Sequence, residues 1–420
     1  MAADLIITNI KTLYTPCYTP PVRGKDLSKI SSIDQAFIAV KNERILDFGN
    51  HDFQKHIGEK TIIYSAKNQI VIPGLIDSHT HLVHAGSREE EYGKLLQGIP
   101  YLDILKSGGG ILSTVEKTRK ASFEDLLEQS QKSLDLMMTY GVTVVEAKSG
   151  YGLELKTEVK QLDVVKRLSK THSIHLVSTY LGAHAIPREL RDDKERYISQ
   201  MMDDMKYIKK HDLATAVDVF CESAVFSVEE TKKLLTAAKK LGFSVKLHAD
   251  EMHSLGGVGL GVDLGATSVD HLMAISDEDI DKLSFSNTAA NLLPGTSFNL
   301  NKDYAPARKM IEKNVILSIS GDYNPGSCPT ENFQLIMQLA ANKLKMNPEE
   351  VLNATTINPA YHLGLSKDFG SIEKGKFANF VMMKAPNLTY VLYHYGINHA
   401  TDVFIKGKQV VKNQQIVREI

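Results

Sequence analysis

The stretch IVIPGLIDSHTHLVHAG, residues 70–86, decides the fold. It opens on an apolar run over 70–77 with no polar alternation, which is how a strand buried on both faces reads. It then sets His79 and His81 two apart at the strand's C-terminal end. A period of two puts both imidazoles on one face, roughly 6–7 Å apart along the chain, so they can converge on one ion. Alone, the pair is equally compatible with two polar residues closing a strand, so the rest of the chain has to decide.

Downstream, apolar runs of strand length alternate with stretches of helical period. The expected strands are 142–148, 175–182, 217–221, 244–249, 268–272, 289–293 and 316–321, eight with the first. Between them, Phe123, Leu126, Leu127, Ser130, Leu134, Met137 and Met138 follow helical spacing, with Ser122 as the cap and Gly141 at the stop. Ser227 and Glu230 form a capping box, and Gly242 follows that helix. Strand–helix alternation of this kind builds a parallel sheet. Eight units over roughly 250–300 residues predict a (β/α)8 barrel, with an open doubly wound sheet as the rival.

The flanks read differently. Short apolar runs at 4–9 and 36–40 enclose a proline-containing stretch, 14–32, expected as a loop. Short strands are expected again at 380–383, 402–405 and 409–411. Neither end could bury an apolar face alone, so residues 1–69 and 370–420 are expected to form one small β-sandwich module beside a barrel of 70–369. A chain of 420 residues suits such a division, because single cores stop growing near roughly 250–300 residues.

Composition excludes several classes of function. Lys plus Arg is 49 and Asp plus Glu is 50, a net charge of −1, which gives no electrostatic reason to bind nucleic acid or a membrane surface. Cys17, Cys221 and Cys328 are far apart. They predict neither a disulfide framework nor a thiolate zinc site, and they fit a reducing, cytoplasmic setting. The N-terminus MAADLIITNI carries Asp4 and no basic stretch, so it makes a poor secretory signal. No apolar run approaches the ~20 residues of a membrane helix. GSIEKGK at 370–376 imitates a phosphate loop, but Phe377 stands where Ser or Thr belongs. GGVGLGVDLG at 256–265 lacks the dinucleotide-binding spacing and reads as the opening of a helix.

The strand ends supply the chemistry. The fifth strand ends at His248 in VKLHADE, the sixth at His271 in SVDHL, and the eighth at Asp322 in ISGDYNPGS. In a barrel these ends build the active site. Imidazole and carboxylate without thiolate suit zinc or iron, and several protein ligands with room for water describe a catalytic centre.

PGLIDSHTH, the later histidines and the final aspartate resemble the amidohydrolase superfamily. More specific stretches are the Arg88 segment, GGGILSTV at 108–115, AKSGYGL at 147–153, LGAHAIP at 181–187, HADE at 248–251 and GDYNPGSCPT at 321–330. They resemble the branch that opens the ring of 4-imidazolone-5-propanoate in histidine breakdown. The resemblance implies His79, His81, His248 and Asp322 as ligands of one Zn or Fe ion per subunit. It implies Glu251, His271 and Asp322 as the proton-handling groups. Arg88, Tyr151, His184, Glu251, Asn324, Gly326 and Ser327 would bind the substrate, with Arg88 gripping its propionate. Gly108, Gly109 and Gly110 would lie in a loop near the site, and the assembly would be a homodimer. The predicted fourth strand offers no bridging lysine, and Glu146 and Glu222 are expected to be structural, so one metal is favoured over two. Two other readings stay open: an aminohydrolase acting on a purine or pyrimidine, and a non-catalytic scaffold on the same fold.

Overall fold

The computed structural model describes residues 1–99, 109–223 and 225–417. Gly108 therefore lies outside the described residues, whereas Gly109 and Gly110 lie within them. The chain opens with a long antiparallel hairpin, β1 (Leu5–Pro16) and β2 (Ile30–Lys41), followed by β3 (Arg44–Gly49), β4 (Ile62–Ser65) and β5 (Ile70–Pro73). The expected 14–32 loop is thus shorter than its prolines suggest, because both strands extend into it and pair Leu13 with Ile33 and Pro16 with Ile30. The single strand expected over 70–77 is two strands broken at Gly74. Its first half belongs to the terminal sheet, where Val71 pairs with Leu13 and with Met382. A Cβ at residue 74 would strike Thr143, so the chain crosses between the sheets where only glycine fits.

The second half begins the barrel. Its strands are β6 (Leu75–Thr80), β7 (Val142–Lys148), β8 (His175–Ala183), β9 (Ala216–Cys221), β10 (Ser244–Ala249), β11 (Ser268–His271), β12 (Ala289–Leu292) and β13 (Leu317–Ile319). They pair in chain order, all parallel. The remaining seam, between β13 and β6, is bridged just past β13. Asp322 N donates to the His79 carbonyl at 2.9 Å, and His81 N to that of Tyr323 at 2.9 Å. The ring of strands is therefore drawn together at the very residues the sequence marks as ligands. Finally β14 (Phe380–Met383), β15 (Ala400–Ile405), β16 (Lys408–Lys412) and β17 (Gln415–Ile416) return to the first sheet, with β14 pairing antiparallel to β5. Both chain ends thus share one sheet, as their short apolar runs suggest.

Local signals explain the helices. Ser122 caps the helix Phe123–Thr139 and Ser227 caps Val228–Lys240, each in a reciprocal capping box. The glycine-rich 256–265 segment opens the short helix Gly257–Asp263, as expected. No helix among the described residues is long and apolar enough to cross a membrane.

The two faces of the barrel strands divide the molecule chemically. Val145, Ala147, Val217, Val219, Leu247 and Ala249 pack in the main apolar core with helix residues such as Leu134, Met137, Leu162 and Ile198. The alternate positions Glu146, Lys148, Asp218, Lys246, His248 and Asp270 are equally buried. Barrels of this kind are usually filled by branched apolar layers. Here one layer of the interior is built from charged side chains instead.

Candidate metal centre and active site

Four strand ends converge, those of β6, β10, β11 and β13. The ring centroids of His79 lie 5.3 Å from His81, 4.5 Å from His248 and 5.6 Å from His271. His81 Nε2 and His248 Nε2 face each other at 3.5 Å. Asp322 Oδ1 lies 3.5 Å from His79 Nε2 and 3.4 Å from His81 Nε2. Two overlapping triads result, His79–His81–His248 and His79–His271–Asp322, with the ligand atoms of each within 4.8 Å of one another.

The histidines are held from behind. His79 Nδ1 donates to Asp270 Oδ2 at 2.5 Å, and His248 Nδ1 to Asp218 Oδ1 at 3.1 Å. With the proton on Nδ1, each Nε2 turns its lone pair inward. His79 Nε2 is buried and has no hydrogen-bond partner. Burial depresses the basicity of His79 and His248, in the latter against the pull of Asp218. Burial also opposes ionisation of Asp322, but the His81 hydrogen bond and the imidazoles of His271 and His81 outweigh it and hold the carboxyl well below its usual range. The inward Nε2 lone pairs of His79 and His248 beside an anionic carboxylate fit a divalent cation.

The backbone is strained at the same places. Asp250, His271, Leu272 and Asp322 all adopt left-handed φ values, between 51° and 83°. Non-glycine residues hold such angles where the surroundings fix them, often at functional sites. Here the fixing bonds include Leu272 N to Ala249 O and Ala274 N to Asp250 O.

The other expected residues surround this cluster. His184 stacks on His81 at 4.8 Å with 15° between the rings and donates from Nδ1 to the Gly150 carbonyl at 3.0 Å. Tyr151 lies 5.8 Å from His81 and 5.2 Å from His184, ring to ring. Glu251 Oε2 is 3.8 Å from His271 Nε2. Arg88 Nε donates to Glu91 at 3.0 Å, and its guanidinium fills the space a Cβ at Gly326 would take. Arg88 is thereby brought to the loop after β13, 238 positions away in the chain. Asn324 is used within that loop. Its Nδ2 donates to the Asp322 carbonyl and to Ser327 Oγ, while its Oδ1 accepts from Gly326 N and Ser327 N. Ser327 Oγ in turn donates to Asp322 Oδ2 at 3.3 Å, as does the Thr296 hydroxyl.

Glu146 is enclosed by Lys246, Lys148 and Thr179. Glu222 accepts from Met252 N, His253 N and His253 Nδ1 at 3.1, 3.3 and 2.8 Å, clamping the loop that carries Glu251. Sequence reading overlooked Asp218, Asp270, Lys148 and Lys246. Their signal is a charge inside an apolar strand, in AVDVFC, SVDH, VTVVEAK and SVKLHA. A charge there has to be paired.

The amidohydrolase family matches residues 70–410, and the chain belongs to it. An imidazolonepropionase of Alkaliphilus oremlandii is 49% identical over 99% of this chain and 100% of its own length. One from Bacillus cytotoxicus is 48% identical over 96% of each. These relatives put the chain in the imidazolonepropionase branch of that family. Among solved structures, an adenosine deaminase from Xanthomonas campestris with bound zinc superposes with a TM-score of 0.73 at 18% identity, covering 100% of this chain and 95% of that one. Guanine deaminase of E. coli gives 0.76 at 15%, covering 97% and 99%. These two share the fold.

Proposed function

We propose that this chain hydrolyses the cyclic amide 4-imidazolone-5-propanoate to N-formimidoyl-L-glutamate, a step of L-histidine catabolism. The observation that carries the reading is the full-length similarity to imidazolonepropionases in a chain whose five strand-end residues converge. In this reading His79, His81, His248 and Asp322 hold one zinc or iron ion per subunit of a homodimer. A divalent ion in such a centre supplies Lewis acidity and lowers the pKa of water toward ~7.

The protein's own groups do the rest. Asp322 accepts the proton of the attacking water, its Oδ2 held by Thr296 and Ser327. His271 faces the carbonyl oxygen and stabilises the charge that develops there. Water adds to the ring carbonyl carbon, the ring C–N bond breaks, and Glu251 delivers a proton to the departing nitrogen. Tyr151 and His184 wall the ring, and the loop of Asn324, Gly326 and Ser327 lines the tail side. Arg88 binds the propionate through paired hydrogen bonds.

Arg88→Lys is expected to raise KM about tenfold or more with a smaller change in kcat, because lysine lacks the planar fork. Steady-state kinetics decide it, and an unaltered KM would remove Arg88 from the substrate site. The reaction itself is tested on freshly generated substrate with elemental analysis of the same preparation. Loss of imidazolone absorbance without ammonia release is expected, together with bound zinc or iron. Ammonia release from a nucleobase would favour the aminohydrolase, and protein purified without chelator yet free of metal would favour the scaffold. Neither rival is favoured at present, since the deaminase likeness is one of fold and all the expected ligands are present.

A further inference from the structure

Beneath the four proposed ligands lies a cluster of charges without exposed surface. Lys148 closes β7, and its ammonium lies 2.8 Å from Asp218, 3.0 Å from Glu146 and 3.9 Å from Asp270. Lys246 reaches Glu146 at 2.7 Å and the Ser78 carbonyl at 3.3 Å. Asp218 and Asp270 are the two carboxylates that hold His248 and His79. Burial opposes the charge on Lys148, but Asp218, Glu146 and Asp270 outweigh it and push its pKa upward.

Stability does not account for such a cluster. Ion pairs this deep lose about as much in desolvation as they gain in attraction, and apolar residues of the same volume often do as well. The placement of the ammonium between the two histidine-holding carboxylates indicates a different task. We propose that Lys148 is a positioning residue for the metal centre: it fixes Asp218 and Asp270 together, and through them the inward-facing Nε2 atoms of His248 and His79. The inference rests on reading His79, His81, His248 and Asp322 as ligands, and it requires nothing of the substrate.

Coulomb's law taken alone has the opposite sign. An ammonium beside a dication site repels the ion, so its removal should tighten binding. Positioning predicts weaker binding, because loss of the groups behind metal-ligating histidines typically costs 10–100-fold in affinity. A charge-conserving variant separates the two. Glu146, Asp218 and Asp270 against Lys148 and Lys246 leave one excess negative charge. The double variant Glu146→Gln/Lys148→Met leaves the same excess and nearly the same volume.

Metal-stripped wild type, Lys148→Met and the double variant are titrated with Zn²⁺ against a chromophoric chelator, with circular dichroism to verify folding. Both variants are expected to bind Zn²⁺ at least about tenfold more weakly than wild type. Wild-type affinity in the double variant, or tighter binding in Lys148→Met, would overturn the inference. If Lys148→Met fails to fold because three carboxylates are left with Lys246 alone, the double variant decides by itself. A wild type that binds no Zn²⁺ would overturn the ligand reading beneath the inference, an outcome separate from any difference among variants.

Discussion

Asp322→Asn is expected to lower kcat on the order of 10⁴-fold, the upper end of what a positioned proton acceptor supplies, and to release most of the bound metal on dialysis. Three features of the site give this effect its size. Asp322 Oδ1 is the anionic member of the proposed ligand set, 3.4–3.5 Å from Nε2 of both His79 and His81. Its Oδ2 accepts from Thr296 and Ser327, so the carboxylate has one orientation. The same group is the proposed proton acceptor, so a single change removes two contributions. Asparagine also isolates the chemistry from the backbone. Residue 322 sits at a φ of 57°, an angle asparagine tolerates better than most residues. An amide NH₂ aimed at the imidazole lone pairs would oppose the cation, whereas the opposite amide orientation would offer Thr296 and Ser327 a donor where they need an acceptor. Elemental analysis and kcat on the same sample check both halves. A variant that keeps its metal and turns over at near the wild-type rate would eliminate Asp322 from both roles.

Much of this centre was legible because a strand's period of two is simple to read. His79 and His81 announce their shared face, and the fifth, sixth and eighth strands each end on one group able to bind metal or move a proton. The barrel followed from alternation and caps, and Ser122 and Ser227 do cap their helices. What escaped depends on distance through space. Arg88 meets Gly326 only because the loops after β6 and β13 adjoin across the seam. The sequence stretch 70–77 contains no sign of a change of sheet beyond Gly74, whose need for glycine comes from Thr143 on another strand. The loop expected over 14–32 was shortened by cross-strand pairing, which local proline content does not report. The buried charges were visible as letters but not as partners. Lys148, Asp218 and Asp270 stand on β7, β9 and β11, and only closure of the barrel brings them together.

Glu251→Gln is expected to lower kcat roughly 10²–10⁴-fold, the range for a general acid or base, while metal content and KM stay close to wild type. Glu251 is not in the ligand triads, which involve His79, His81, His248, His271 and Asp322. Its carboxylate lies 3.8 Å from His271 Nε2, and its loop is fixed independently through Glu222 and the backbone of Met252 and His253. Glutamine should therefore keep the fold, the ion and a hydrogen bond to the ring, and lose only the transferable proton. That separation gives the experiment its force. An interaction made equally in ground and transition states would appear in KM with kcat unchanged, whereas one needed only as the C–N bond breaks lowers kcat and kcat/KM together. The proton-transfer role predicts the second pattern. A raised KM with intact kcat would make Glu251 a binding residue and leave the leaving nitrogen to take its proton from Asp322 or His271, the remaining proton-handling groups of the proposed site.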